Sequence, residues 1–246
     1  MNLADIVGPD CALFLDFDGS LVDIAPRPEA VSVPSGLVGT LRTLQGWLGG
    51  AVAVISGRPI EQIDAFLQPL RLPAAGVHGA ERRSADGHVT LLDTQPLQAV
   101  EAAATDLARQ HAALRVEIKR GSVALHYRQA PELEAACVAA MQAAVDASPG
   151  LTLLRGKMVA EAKPGGASKG QAIEAFLREP PFAGRTPVFV GDDCTDEAGF
   201  AMVQHLLGHG VKVGEGPTAA SGRIASPAGL REALHEAAVR ARKVAA

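Results

Sequence analysis

The chain has 246 residues, 48% of them hydrophobic and 20% charged, which is typical of a soluble globular protein with one large or two small domains. Its net charge of −4 provides no positive field for nucleic acid or an anionic membrane, so we expect neither as a partner. No signal peptide, membrane-length apolar run or association motif is evident, so we expect a cytoplasmic monomer.

The first predicted element is a strand buried on both faces, because Leu13-Phe14-Leu15 is apolar throughout. The strand ends in two carboxylates, Asp16 and Asp18, followed directly by Gly19. Gly19 predicts a turn that brings Asp18 and its backbone back toward Asp16. The two carboxylates need a cation, and oxygen ligands favour Mg²⁺ over softer metals. A simple acidic turn after a core strand is the alternative interpretation.

Strands and helices alternate after this point, which predicts a doubly wound parallel sheet with right-handed crossovers. The second predicted strand ends in Ser56-Gly57-Arg58, and the third ends in His78-Gly79. The predicted elements of this part are a helix over 35–48, a strand over 51–55, a helix over 60–67 and a strand over 74–77.

The middle of the chain has a different pattern. Alanine-rich helices are predicted over 98–111 and 131–147, and a hairpin is predicted between them over 116–119 and 123–128. The hairpin strands alternate polar and apolar residues, so one face of the hairpin is expected to be wet. With a third stretch over 158–163, these elements predict an α+β unit inserted into the α/β pattern.

The buried parallel pattern returns at Pro187–Val190 and ends in Gly191-Asp192-Asp193. We therefore predict an α/β fold, with a Rossmann-like parallel sheet core, helices on both of its faces, and an inserted α+β domain. An amphipathic pattern over 230–244 predicts a packed terminal helix. The predicted boundaries are 1–90 and 164–246 for the core and 91–163 for the inserted domain.

Parallel strands bring the acids, Ser56 and Gly57 to one edge of the sheet, where a phosphate would complete the magnesium shell. Ser56 offers its hydroxyl and Gly57 its N–H at a helix N-terminus. Lys169, in the segment that leads into a helix predicted over 171–177, offers a point charge for phosphate. The competing interpretations are a helix cap for Ser56 and a solvated lysine for Lys169.

Six motifs carry a resemblance to a known family: Asp16-x-Asp18-Gly-Ser, Ser56-Gly-Arg, Gly76-Val-His78-Gly79-Ala-Glu81, His126-Tyr127-Arg128, Ser168-Lys169-Gly, and Gly191-Asp192-Asp193-Cys-Thr-Asp-Glu followed by Phe200. Together they resemble the motifs of the haloacid dehalogenase-type phosphatases and, within that superfamily, of the trehalose-6-phosphate phosphatases. The resemblance runs from about Ala12 to Ala225. Ser20 stands where the family's first motif usually has threonine, so a hydroxyl is retained.

The resemblance implies a role for each acid. Asp16 would be the nucleophile that forms an aspartyl-phosphate, and Asp18 would be the general acid and base. Asp16, the backbone carbonyl of Asp18, and Asp192 would bind Mg²⁺. Asp193 and Asp196 would orient the waters on the metal.

The resemblance also assigns the remaining site residues. Ser56 and Lys169 would hold the phosphoryl oxygens, and the inserted domain would be a substrate-recognising cap. A salt-bridged solvated strand face is the alternative for the cap residues, and a buried structural histidine is the alternative for His78. The residues expected to bind substrate are Gly57, Arg58, His78 and Gly79 in the core and Glu117, Lys119, Arg128, Lys157 and Glu161 in the cap. Lys157 and Glu161 stand at matching parity, so we expect both on one strand face.

The implied function is Mg²⁺-dependent hydrolysis of trehalose 6-phosphate, the final step of trehalose biosynthesis. One alternative is a phosphatase of the same superfamily that acts on sucrose or mannosyl phosphates. A phosphosugar-binding sensor without turnover is a second alternative. A phospho-receiver domain fits less well, because such a domain is about half this length. Its acid pair and its phosphorylated aspartate both precede its lysine, whereas Lys169 of this chain precedes Asp192.

Overall fold

The computed structural model describes residues 3–92, 96–119 and 121–244. The chain divides into two compact units, each with its own hydrophobic core. The core unit consists of Met1–Val89 and Ser168–Ala246, and the inserted unit consists of Thr90–Ala167. None of the described helices combines the length and the apolar character that crossing a bilayer requires.

The strands and α-helices of both units are numbered together in chain order. The strands are β1 (Cys11–Leu15), β2 (Val52–Ile55), β3 (Ala74–Gly76), β4 (Glu81–Arg83), β5 (Val89–Leu91), β6 (Arg115–Lys119), β7 (Ser122–His126), β8 (Leu151–Gly156), β9 (Val159–Pro164), β10 (Thr186–Gly191), β11 (His209–Val213) and β12 (Gly222–Ile224). The α-helices are α1 (Leu3–Ile6), α2 (Leu37–Trp47), α3 (Ile60–Leu67), α4 (Gln98–Gln110), α5 (Glu134–Asp146), α6 (Lys169–Leu177), α7 (Glu197–His205) and α8 (Pro227–Val244).

The larger sheet has the strand order β12-β11-β10-β1-β2-β3-β4-β5. Its strands from β12 to β3 are all parallel, and β4 pairs antiparallel with β3. The predicted α/β fold class is therefore confirmed. The sequence prediction missed β4, β5, β11 and β12, which are short and lack a continuous apolar run.

Strand β1 is the centre of the core unit, and all five of its residues are buried. The ring of Phe14 stacks on that of Phe182, with centroids 5.4 Å apart, and lies 6.0 Å from that of Phe176 in α6. Each such side chain contributes about 1.5–3 kcal/mol by leaving water. This burial holds the carboxyl end of β1, and the acids that follow it, in a fixed place.

The helices of the core unit pack in two groups. Helix α8 packs against α1 and α2, while α6 packs against α7. The buried residues of α8 recur at helical spacing, at Leu230, Leu234, Ala237 and Ala241. The predicted packed terminal helix is confirmed, and it begins at Pro227, a favourable residue for a first helical turn.

The inserted unit is a four-stranded antiparallel sheet with the order β6-β7-β9-β8. Residues of β7 and β9, such as Val123, Leu125 and Ala162, form one core with Val100 of α4 and Met141 of α5. The sequence prediction missed β8, which forms a hairpin with β9.

A second correction concerns Lys157. This residue lies in the turn between β8 and β9, and Met158 beside it has a φ of 64°. The expectation that Lys157 and Glu161 share a strand face is therefore wrong, because the alternation of side chains does not extend through a turn.

Candidate active site

Parallel pairing brings three predicted site residues to one edge of the larger sheet. Asp16 follows β1, Ser56 follows β2 and Asp192 follows β10, and both β2 and β10 pair directly with β1. Carboxylate oxygens of Asp16, Asp192 and Asp196 lie within 4.8 Å of one another. We call these three residues the acid cluster.

Lys169 lies inside the acid cluster. Its Nζ donates to Oδ1 of Asp16 and to Oδ1 of Asp196, at 2.6 Å in both cases. Lys169 is the first residue of α6, whose N-cap Ser168 accepts a hydrogen bond from the backbone N–H of Gln171. The side chain of Lys169 is 3% exposed, so the interpretation as a solvated lysine is wrong.

The electrostatics of the acid cluster leave surplus negative charge. Burial raises the pKa of Asp16 well above its ordinary value; Lys169 opposes this, and the carboxylates of Asp196 and Asp192 reinforce it. Burial alone would lower the pKa of Lys169, but Asp16 and Asp196 raise it above its ordinary value. Three carboxylates around one ammonium therefore favour a further cation, and their oxygen-only donor set suits Mg²⁺.

The predicted turn at Gly19 is confirmed, and it has a specific packing reason. Gly19 has a φ of 80°, and a Cβ added there would lie 2.2 Å from Oδ2 of Asp192. A larger residue at this position would therefore displace the Asp192 carboxylate from the acid cluster.

Asp193 and Asp196, which follow Asp192 in the motif Gly191–Glu197, have different environments. Asp196 is fully buried, and its carboxylate belongs to the acid cluster itself. Asp193 instead forms a capping box with Asp196 around the 3₁₀ turn Cys194–Asp196. Its Oδ1 accepts a hydrogen bond from the backbone N–H of Cys194 at 2.8 Å.

Asp18 has a partner that the sequence did not indicate. Nε and Nη2 of Arg58 donate to the two carboxylate oxygens of Asp18, at 2.6 and 2.7 Å. The guanidinium also lies 5.0 Å from the ring centroid of Phe66 and 5.8 Å from that of Phe17. This two-point contact fixes the position of the Asp18 carboxylate.

Ser56 is buried beside Arg58, and its Oγ accepts a hydrogen bond from the Arg58 backbone N–H at 3.1 Å. The interpretation of Ser56 as a helix cap is wrong, because α3 begins at Ile60 with Pro59 at its N-cap. The backbone N–H of Ile60 is instead bound by the carboxylate of Glu81. Glu81, part of the motif that suggested the closer resemblance, therefore caps α3.

His78 lies against Gly57 in a strained stretch of backbone. A Cβ on Gly57 would lie 2.6 Å from Cε1 of His78, so only glycine allows the ring this position. Val77 and His78 both have positive φ, at 48° and 55°, which is costly for residues with a side chain. Strain of this kind is concentrated at functional sites, which favours a functional over a purely structural histidine.

Three of the five predicted cap residues form one network on the sheet of the inserted unit. Nζ of Lys119 lies 3.1 and 3.2 Å from the carboxylate oxygens of Glu161 and 3.8 Å from Oε2 of Glu117. Two further members, Ser122 and His126, are not among the predicted substrate-binding residues. Ser122 donates to Glu161 at 2.6 Å, and Nε2 of His126 lies 3.0 Å from Oε2 of Glu117. We call these five residues the polar network.

The other two predicted cap residues lie apart from the polar network. Arg128 and Lys157 are exposed, and Nη2 of Arg128 donates to the backbone oxygen of Lys157 at 3.4 Å. The structure therefore divides the predicted cap residues into a largely buried group and an exposed pair at the β8–β9 turn.

Comparison with known proteins identifies the family. The model of the trehalose-phosphatase family matches residues 14–231. The chain belongs to the trehalose-phosphatase family. It is accordingly an enzyme that hydrolyses a phosphate monoester, and the predicted resemblance is confirmed.

Individual members of the trehalose-phosphatase family are similar over most of their length. The chain is 45% identical to the trehalose-6-phosphate phosphatase of Escherichia coli over 216 residues, covering 87% of this chain and 81% of that protein. It is 42% identical to a probable trehalose-phosphate phosphatase of Sinorhizobium fredii over 225 residues, covering 89% and 84%. The C-terminal domain of Candida albicans trehalose-6-phosphate phosphatase has the same fold, with a TM-score of 0.86, 19% identity, and coverage of 96% and 95%.

Proposed function

We propose that this protein is a Mg²⁺-dependent phosphatase that converts trehalose 6-phosphate to trehalose and phosphate, the last step of trehalose biosynthesis. The observation that carries the proposal is the acid cluster around Lys169, at the edge where parallel sheets bind ligands. The substrate is inferred from the 45% identical E. coli relative, which is named for its action on trehalose 6-phosphate.

We propose a covalent mechanism through Asp16. An oxygen of Asp16 bonds to phosphorus as the phosphorus–oxygen bond to the sugar breaks, and Asp18 gives a proton to the departing sugar oxygen. Water then attacks the same phosphorus, Asp18 takes a proton from it, and the bond between phosphorus and Asp16 breaks. Inorganic phosphate leaves, and the Asp16 carboxylate is restored.

The surrounding residues would hold the reacting groups in place. Lys169 contacts Asp16 at 2.6 Å and would offset the charge that develops on the phosphoryl oxygens. Arg58 contacts both oxygens of Asp18 and would stabilise the carboxylate that remains after Asp18 has given up its proton. The Ser56 hydroxyl and the Gly57 backbone N–H would donate to the phosphoryl group.

Asp16, Asp192 and the backbone carbonyl of Asp18 would hold Mg²⁺. The acid cluster fits this ion, because its donors are oxygens and its charge exceeds that of Lys169. When bound, Mg²⁺ would supply Lewis-acid stabilisation of the phosphoryl charge. Asp196 would support the ligand set through its contact with Lys169.

We propose that the inserted unit is the cap that recognises the sugar. A disaccharide presents many hydroxyl groups, so its binding needs both acceptors and donors of hydrogen bonds. Glu117 and Glu161 are acceptors and Lys119 is a donor, and their mutual contacts hold them ready for hydroxyl groups.

The test is phosphate release from a panel of sugar phosphates, with Mg²⁺ and with the ion removed by a chelator. We expect Mg²⁺-dependent turnover, with the highest kcat/KM for trehalose 6-phosphate. A higher kcat/KM for sucrose or mannosyl phosphates would contradict the substrate assignment. Binding without turnover of any member of the panel would contradict the activity itself.

A further inference from the structure

A second lysine, not used in the proposed mechanism, is buried at the same edge of the sheet. Lys212 lies on β11 and is 5% exposed. Burial of an ammonium group costs several kcal/mol unless polar partners compensate for the lost water. A lysine kept in such a position therefore calls for a specific partner.

The partner of Lys212 is the backbone of the acid cluster. Lys212 is paired with Gly191, the last residue of β10, in the parallel register of β10 and β11. Its Nζ donates a hydrogen bond to the backbone carbonyl oxygen of Asp192. The contact holds the peptide from which the Asp192 carboxylate projects.

The side chain of Asp192 is constrained as well as its backbone. Its carboxylate lies against Gly19, where a Cβ would come within 2.2 Å. Asp192 is thus held between Lys212 at its backbone and Gly19 at its side chain.

We propose that Lys212 is a positioning residue for divalent-cation binding, which it supports by fixing the Asp192 backbone so that the carboxylate stays in the acid cluster. This inference rests on the proposed function, because it assumes that the acid cluster binds Mg²⁺. Lys212 acts through Asp192 and does not itself touch the reacting atoms.

The proposal predicts a change in Mg²⁺ affinity opposite in direction to the change expected from charge alone. A positive charge near a cation site weakens binding, so its removal alone would tighten Mg²⁺ binding. Loss of a residue that orients a metal ligand instead weakens binding, typically 10- to 100-fold. The direction of the change in Kd therefore separates the two roles.

The experiment compares Lys212→Met and Lys212→Arg in the full-length protein, with Lys243→Met, an exposed lysine of α8, as the control. The Mg²⁺ Kd is measured by calorimetry and by the Mg²⁺-dependent rise in Tm. We expect Lys212→Met to raise Kd by about 10- to 100-fold, and Lys212→Arg, which keeps charge and donors, to recover part of the affinity. At saturating Mg²⁺, the KM for p-nitrophenyl phosphate should be unchanged.

An unchanged or lower Mg²⁺ Kd in Lys212→Met would overturn the proposal, and so would a lower Tm without any change in Kd. If Lys212→Met does not fold, Lys212→Gln is measured in the same way and must show the raised Kd. No Mg²⁺ binding by the unaltered protein would instead contradict the magnesium assignment in the proposed function. The two failures are thus distinguishable.

Discussion

Asp16 combines burial with three charged neighbours, and its carboxylate lies 2.6 Å from Lys169. An amide in its place keeps the size of the side chain but is not a nucleophile toward phosphorus. We expect Asp16→Asn to lower kcat for phosphate release by several orders of magnitude while the fold is retained. Phosphate release measures the loss of turnover, and circular dichroism checks that the fold is retained.

Asp10→Asn is the matched control for Asp16→Asn, because Asp10 is exposed at the opposite end of β1. Its activity should equal that of the unaltered protein. Appreciable turnover by folded Asp16→Asn would rule out the covalent mechanism.

Asp18 differs from Asp16 in its partner, since it is held by Arg58 and not by Lys169. Asp18→Asn removes the proposed proton carrier but leaves the Asp18 backbone carbonyl available to a metal. We expect turnover to be abolished or strongly slowed, and any phosphorylated Asp16 to persist because general-base assistance is missing. Rapid-quench measurement of phosphorylated protein checks this, alongside binding of beryllium fluoride with Mg²⁺.

The control for Asp18→Asn is Asp23→Asn, which alters an exposed acid paired with Arg231. If Asp18→Asn only raised the Mg²⁺ concentration needed for activity, Asp18 would be a metal ligand through its side chain. The assignment as general acid and base would then fail.

At the scale of elements, β6, β7 and β9 together form the polar network. Glu117→Ala removes an acceptor that would bind the sugar, far from the reacting phosphorus. We expect kcat/KM for trehalose 6-phosphate to fall by roughly 10- to 1,000-fold, and turnover of p-nitrophenyl phosphate to change little, because that ester has no sugar. Arg128→Ala is expected to act in the same direction.

Glu132 is an exposed acid of the same unit, so Glu132→Ala is the control for these cap variants. This variant should leave kcat/KM unchanged for both trehalose 6-phosphate and p-nitrophenyl phosphate. An equal fall in kcat/KM for both substrates in Glu117→Ala or Arg128→Ala would mean that these residues support the fold. The specificity assignment would then be abandoned.

The polar network also predicts a pH dependence of stability. Burial alone would raise the pKa of Glu117, but the hydrogen bond with His126 and the charge of Lys119 lower it below its ordinary value of 4.5. A carboxyl group whose pKa is lower in the folded state stabilises the fold above its unfolded pKa. This stabilisation is lost as the pH falls through the folded value.

The comparison that isolates this contribution is with Glu117→Gln. We expect the unaltered protein to be more stable than Glu117→Gln near neutral pH, and the difference to shrink as the pH falls below about 4.5. Urea unfolding at a series of pH values measures the difference. A difference that is independent of pH would show that the ionised carboxylate contributes nothing.

At the scale of the whole molecule, each unit has a separate hydrophobic core. Met141 is fully buried in the inserted unit, and Leu41 is fully buried in the core unit. Truncation of either to alanine should cost about 2–5 kcal/mol. We expect Met141→Ala to accelerate amide hydrogen exchange in β7 and β9 more than in β1 and β10, and Leu41→Ala to do the reverse. Equal acceleration in both units would show that they unfold as one.

The sequence by itself determined the fold class and the residue types of the candidate site. Short-range rules were sufficient, because an apolar run predicts a buried strand and a glycine after Asp18 predicts a turn. The same rules failed for β8, β11 and β12, because β8 and β11 mix polar residues and glycine with only a few apolar ones and β12 has only three residues. The expectation that Lys157 shares a strand face with Glu161 failed because Lys157 lies in the turn between β8 and β9.

Only the tertiary structure decided which side chains meet. Arg58 and Asp18 are 40 residues apart, and Lys169 and Asp16 are 153 apart. Such contacts depend on the order of strands in the sheet, which the pattern within any one segment does not contain. The same holds for Lys212, which reaches Asp192 only because β11 lies beside β10. Local periodicity thus determined the elements and their acids, and the packing of β11-β10-β1-β2 determined the charge pairs among them.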